Sequence, residues 1–191
     1  MEHSLVTYLE TFCPISDSCR DFIRQQGVTT TYKKNTFLLA EADVCTKLYF
    51  IHRGVLRGVK YYRDKEISTW FGTDNQLVTA FYSFVQEAPS YEGLQTLADT
   101  TVTWLSRAQW DELLRRFVEG NELGRKLAEH YYVWLEQRSM SMQYHTPMER
   151  YQHLLTTDPE LLQRVPLTYI ASYLGLARET LSRLRADRSR L

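Results

Sequence analysis

Pro166-Leu-Thr-Tyr-Ile-Ala-Ser-Tyr-Leu-Gly-Leu-Ala-Arg-Glu-Thr-Leu-Ser-Arg-Leu-Arg-Ala-Asp-Arg-Ser-Arg-Leu191 fills the last 26 positions and reads as two short helices joined by a tight turn. Helices that pack at close range need a small residue where their backbones approach, and Ala171 stands there. Four positions later the turn needs a residue tolerant of positive φ, and Gly175 supplies it. Ile170, Leu174, Leu176, Leu181 and Leu184 fall at the spacings that bury the faces between the helices. Arg178, Glu179, Thr180 and Arg183 then remain on the outer face of the second helix. Arginine donates in pairs to guanine and glutamate accepts from cytosine, so the pattern predicts a helix-turn-helix that reads double-stranded DNA. A solvated amphipathic hairpin is the alternative, but it does not require the small residue and the glycine at these places.

The charge distribution agrees. The 191 residues carry no net charge, yet from Arg164 onward six arginines (164, 178, 183, 185, 188 and 190) stand against Glu179 and Asp187. That leaves +4 at this end and −4 elsewhere. A basic end on a neutral chain suits phosphate contacts by that end alone. The 43% apolar and 13% aromatic content supports a packed core. No apolar run approaches the ~18 residues that span a bilayer. Met1-Glu-His-Ser-Leu-Val lacks the basic start and apolar stretch of a signal peptide. The expectation is a soluble cytoplasmic protein, away from membranes. Cys13, Cys19 and Cys45 are odd in number and widely spaced, which predicts reduced structural thiols with neither a disulfide framework nor a metal site.

Upstream the texture changes twice. Residues 1 to about 27 look helical, with Ser16 as a cap and Gly27 as a stop. From Val28 to about Leu105 short runs rich in Thr, Val, Tyr and Phe alternate with turn residues. These are Thr36-Phe-Leu-Leu, Leu48-Tyr-Phe-Ile-His, Val55-Leu-Arg-Gly-Val-Lys-Tyr-Tyr, Glu66-Ile-Ser-Thr-Trp-Phe and Thr101-Val-Thr-Trp-Leu. Arg63-Asp-Lys-Glu66 between two of them suits a hairpin turn. Such spacing predicts a β-sandwich or jelly-roll barrel. Ser106 caps a helix holding Trp110, Leu113, Leu114 and Phe117. A long helix follows over about 121–144, with Leu123, Leu127, Tyr131, Trp134, Leu135 and Met142 as its apolar stripe. That stripe suits either packing on its own domain or a subunit interface. Thr146-Pro-Met-Glu149 is a capping box with proline in the first turn, and Asp158-Pro-Glu160 starts a further short helix.

This order of elements resembles the Crp–Fnr family of transcription regulators over nearly the whole chain. Two segments carry the resemblance: Leu48-Tyr-Phe-Ile-His-Arg-Gly-Val-Leu-Arg, similar to the family's strand-turn-strand signature, and Arg178-Glu-Thr-Leu-Ser-Arg183, similar to its recognition helix. The resemblance implies an α+β fold with an N-terminal jelly-roll-like β-roll, a long dimerisation helix and a C-terminal all-α helix-turn-helix. It divides the chain into a cyclic-nucleotide-binding-like roll (1–120), the dimer helix and linker (121–145) and the DNA-binding domain (146–191). It assigns Arg178, Glu179 and Arg183 to bases and Thr180 and Arg185 to phosphates. The partners it implies are double-stranded DNA, a second copy of the chain and RNA polymerase.

Three departures stand out. In members that bind cyclic AMP an acid and an Arg-Ser pair hold the ribose and the phosphate. Here those positions fall near Ala80 and on Pro89 or Ser90, so a buried phosphate would lack its cation. The expected protein is a homodimeric regulator that works without cyclic AMP and without a cofactor. The alternative is a sensor whose roll binds an unidentified small effector, with Tyr82, Phe84, Ser90 and Tyr91 as lining candidates. Second, Ala177 stands where the family usually has a capping Ser, Thr or Asp, a loss of about 1 kcal/mol. Third, the chain reaches Leu191 without a β wing, leaving Arg185, Arg188 and Arg190 to grip phosphates; a shortened form of a longer chain would look the same. Iron–sulfur sensing needs more clustered cysteines than these three. His52 reads as a strand residue rather than a haem ligand. A cupin-type enzyme needs a His-x-His pair that is missing, so no catalytic residues are assigned.

Overall fold

The computed structural model describes residues 4–188; residues 1–3 and 189–191, Arg190 among them, lie outside the described residues. In chain order the elements are α1 (Leu5–Glu10), α2 (Asp17–Gln26), β1 (Val28–Tyr32), β2 (Phe37–Leu39), β3 (Lys47–Arg53), β4 (Leu56–Tyr62), β5 (Lys65–Gly72), β6 (Gln76–Val78), α3 (Phe81–Gln86), β7 (Gly93–Thr96) and β8 (Thr100–Ser106). The helical remainder is α4 (Arg107–Arg116), α5 (Gly120–Tyr144), α6 (Pro147–Thr157), α7 (Leu161–Arg164), α8 (Leu167–Tyr173) and α9 (Arg178–Arg188).

The strands form two antiparallel four-stranded sheets, ordered β1-β8-β3-β6 and β2-β7-β4-β5. Threonine, valine and aromatic residues favour such half-buried pleats. The β4–β5 hairpin closes through Arg63 and Asp64, both at positive φ, the left-handed pair that matches strand twist in a two-residue turn. One face of the first sheet packs on helices. Phe50 lies against Tyr8, and Leu9, Ile23, Leu113 and Leu123 join the same buried cluster. His52 on β3 meets the Thr103 hydroxyl at 2.6 Å, as a strand residue would.

The predicted caps are in place. Ser16 accepts from the Cys19 amide, and Ser106 and Thr146 each form a full capping box, with Gln109 and Glu149 respectively. Helix α5 runs for 25 residues, and its expected stripe divides between two faces. Leu123, Leu127 and Tyr131 turn toward their own roll, with Tyr131 stacked on Phe81 at 4.1 Å and Trp134 half-buried beside Tyr131, whereas Leu135 and Met142 are exposed. The C-terminal helices bury Tyr151, Leu154, Leu161, Val165, Ile170, Ala171, Leu174 and Leu181 in a second cluster, and Val55 and Leu97 of the roll complete it. Among the described helices none is long and apolar enough to cross a membrane.

All three cysteines are free and buried. Burial, reinforced by the charge of Glu119, pushes the Cys19 thiol up to about 12, and burial raises the Cys13 thiol as well. A thiol-specific chromogenic reagent at neutral pH should therefore label the native protein only as fast as it opens, and label three thiols in denaturant. Fast native labelling of Cys19 would contradict this placement.

Candidate nucleic-acid interface

The turn between α8 and α9 is a Schellman closure. The Leu176 amide donates to the Ala171 carbonyl at 2.9 Å and the Gly175 amide to the Ser172 carbonyl at 3.1 Å. Gly175 adopts φ 69°, and a Cβ there would lie 2.9 Å from the Met142 methyl at the end of α5. Ala171 is buried at the crossing of the two helices, together with Ile170, Leu174 and Leu181. Two arginines brace the same turn from outside. Arg138 of α5 donates to the Tyr173 carbonyl at 3.0 Å with its guanidinium 3.9 Å over the Tyr173 ring. Arg150 of α6 donates to the Leu174 carbonyl at 3.0 Å. Cations at a helix C-terminus satisfy its free carbonyls and suit its dipole.

Helix α9 leaves Arg178, Glu179, Arg183 and Arg185 exposed and Thr180 half-buried. Leu181 bonds back to the Ala177 carbonyl, so Ala177 takes the cap position without a side-chain oxygen, and Glu179 is the acid of the first turn. Anionic charge there offsets part of the missing cap. The predicted DNA-contacting side chains thus share one short helix. Arg164, counted above with the basic end, is committed elsewhere. It donates to both Asp74 carboxylate oxygens, at 2.9 and 3.2 Å, and to the Gly54 carbonyl at 2.7 Å.

The sequence reading missed what lies behind α8. Arg57, on the outward face of β4, is fully buried. Its guanidinium donates to the Gln95 side chain at 2.6 and 3.0 Å, to Ser68 at 3.3 Å and to Glu66, and it lies 3.7 Å under the Tyr169 ring of α8. Ser172 accepts from the Ser68 amide at 3.0 Å, and Tyr173 meets Phe71 edge-on. One signal was available. Val55, Arg57 and Val59 alternate on a single face, and two valines flanking the arginine suggest a face that is covered.

The four effector candidates lie in different surroundings. Phe84 is buried in the core, Ser90 is tied to the Glu92 backbone, and Tyr82 and Tyr91 stack on each other at 4.3 Å while exposed. A groove of about 490 Å³ between β2, the following loop and β3 is lined by Phe37, Leu39, Lys47 and Tyr49 and by none of the four. The acid inside the roll is Glu92, held by Trp70 Nε1 at 2.8 Å and by Thr69, in space that Gly58 leaves open. Burial pushes its carboxyl above the ordinary range, against the pull of those hydrogen bonds and of Lys60.

No protein-family model matches the sequence, and no curated protein matches it. Solved structures do. FixK2 from Bradyrhizobium japonicum is similar at 21% identity with a TM-score of 0.70, over 84% of this chain and 83% of that one. The c-di-GMP responsive global regulator CLP from Xanthomonas campestris is similar at 15% identity and a TM-score of 0.67, over 91% and 92%. A protein from Eubacterium rectale, proposed to be a transcriptional regulator of the crp/fnr family, is similar at 16% identity and a TM-score of 0.69, over 91% and 85%. The chain has the fold of the Crp–Fnr regulators.

Two measurements check this geometry. Gly175→Ala should cost roughly 1–2 kcal/mol in urea unfolding, because a left-handed residue gains a Cβ there; an unchanged midpoint would contradict the turn. Burial alone would raise the Asp74 carboxyl, but Arg164 and the Gly54 amide outweigh it and hold it below its ordinary 3.8. A depressed carboxyl stabilises the fold above its ordinary value and loses that contribution as pH falls through the folded one. Asp74→Asn should therefore be less stable than wild type at neutral pH, and the gap should close below about pH 4. A gap that stays constant with pH would contradict the ion pair.

Proposed function

We propose that the chain is a homodimeric DNA-binding transcription regulator of the Crp–Fnr type that acts without cyclic AMP and has no catalytic role. The observation that carries this reading is the exposed set Arg178, Glu179 and Arg183 on α9, behind a turn built on Ala171 and Gly175. Arg178 and Arg183 donate to guanine, Glu179 accepts from cytosine, and Thr180 and Arg185 meet phosphates. The roll occupies residues 1–120, the dimer helix 121–145 and the reader 146–191.

The dimer seam is the outward face of α5. Ala128, Tyr132, Leu135, Ser139 and Met142 are all exposed and follow one another at alternating steps of four and three, the spacing of a two-stranded coiled coil. Pairing that face with a second copy sets two readers on successive major grooves, one helical turn apart. A cyclic phosphate is disfavoured in the roll. Its interior acid is Glu92, Ser90 is consumed by a turn, and Arg57 is spent on the opposite face of the sheet.

Selection of bound duplexes from a random pool, with and without cyclic AMP, tests the reading. It should yield the same two-fold motif in both arms, with half-sites about ten base pairs apart. Enrichment only with cyclic AMP would overturn ligand independence, and no motif in either arm would overturn DNA reading. Arg183→Ala should cost roughly 1–3 kcal/mol and relax one base position; equal loss on every sequence would make Arg183 a phosphate contact. Leu135→Glu should convert the dimer to monomer in sedimentation, and an intact dimer would move the interface elsewhere.

A further inference from the structure

The groove of about 490 Å³ lies between one strand of each sheet, β2 of the second and β3 of the first, with the loop of residues 40–46 as a wall. Small-molecule sites have volumes of ~300–1,000 Å³. The wall is tied down by its backbone. The Ala42 amide donates to the Ser90 carbonyl at 3.0 Å, the Ser90 amide to the Asp43 carbonyl at 2.9 Å and the Cys45 amide to the Ser83 hydroxyl at 2.8 Å. Val44 also bridges to Pro89. A wall held this way needs no ordering when a ligand arrives.

Two donors meet at this groove without an acceptor. The β3–β8 register sets Tyr49 opposite Trp104 and Lys47 opposite Ser106, so Lys47, Tyr49 and Trp104 share one face of the first sheet. It is the face turned away from Phe50 and the helix α1 that Phe50 meets. Lys47 lines the groove and holds its ammonium 4.1 Å over the Trp104 ring. Among the described residues no carboxylate or other acceptor meets that ammonium. A ring attracts a cation, but the N–H donors of the cation stay unused. Trp104 Nε1, in the ring beneath, is buried and has no hydrogen-bond partner among the described residues. Buried N–H groups nearly always find an acceptor, and leaving one without costs stability.

The rest of the lining limits what fits. Phe37 and Val44 are exposed apolar side chains, and Leu39 and Tyr49 are buried. Burial pushes the Tyr49 phenol upward, so it stays a neutral hydroxyl. Asp43 lines the groove without pairing with Lys47, and it repels a second negative charge. We infer that this groove binds an organic monocarboxylate with an apolar body, its oxygens on Lys47 Nζ and Trp104 Nε1 and its body against Phe37, Leu39 and Val44. A carboxylate has two acceptor oxygens, one for each waiting donor. A phosphate brings more charge than one ammonium balances, and Asp43 opposes the excess. The site is read on the chain without DNA, so its failure leaves the DNA-reading proposal standing.

Titration calorimetry on the full-length chain tests it with two carboxylates, octanoate and hydrocinnamate, and with octanol and octylamine as the uncharged and cationic comparators. At least one carboxylate should bind saturably, and octanol and octylamine should bind much more weakly. Lys47→Met keeps the stem over the ring and removes the charge; it should weaken carboxylate binding about tenfold, the loss of one charge-assisted hydrogen bond. Lys47→Arg keeps the charge and should retain most of the affinity. Circular dichroism confirms that each variant is folded. In protein carrying isotope-labelled tryptophan, the Trp104 indole proton, identified by its loss in Trp104→Phe, should move downfield with carboxylate and stay in place with octanol. Neither carboxylate binding would overturn the site. Octanol binding as tightly, or Lys47→Met binding as wild type does, would overturn carboxylate recognition. An indole proton that does not move would overturn the place of Trp104 in it.

Discussion

A guanidinium without access to water is the constraint on which the arrangement of this chain turns. Arg57 is buried only because α8 covers it, and α8 is held there because the same face offers Val55, Phe71 and Leu97 to the reader's core. Val55 and Leu97 give roll and C-terminal helices a shared apolar cluster. A purely polar face would not hold them together. The mixture gives a contact whose strength is a small difference between opposing terms.

The distribution of arginines follows the same logic. Arg57, Arg138, Arg150 and Arg164 are used internally, on side chains, aromatic rings and the free carbonyls at the end of α8. Arg178, Arg183 and Arg185 remain exposed on α9. The basic end of the sequence is therefore smaller as an electrostatic surface than its composition suggests, because Arg164 is neutralised by Asp74. The open positive charge is left to the helix that carries the side chains proposed to contact DNA.

Much of this was legible before any coordinates. Capping chemistry is local, so Ser16, Ser106 and Thr146 could be read from spacing alone, as could the left-handed Gly175. Strands with alternating Thr, Val and aromatic residues were legible for the same reason. Helix α3 and strand β7 were not, because the stretch from Thr79 to Gln95 has too few periodic residues to declare a class. The spacing on α5 suggests a single stripe, yet Leu123, Leu127 and Tyr131 pack on the roll while Leu135 and Met142 stay exposed. A long helix with apolar residues on two faces does not reveal which face meets which neighbour. The roles of Arg57 and Tyr169 were invisible, since they sit over a hundred positions apart and meet only through tertiary packing.

The most direct measurement is the distance between the two α9 helices of the assembled protein. A spin label on Ser182→Cys, an exposed position of α9, reports it by pulsed electron resonance, because the native cysteines are buried. A docked dimeric reader predicts a single narrow distribution near roughly 34 Å, the separation of successive major grooves, present without DNA and unchanged when duplex is added. A missing intermolecular distance would contradict the dimer. A broad distribution that narrows only on DNA would contradict a reader held in place by its own roll.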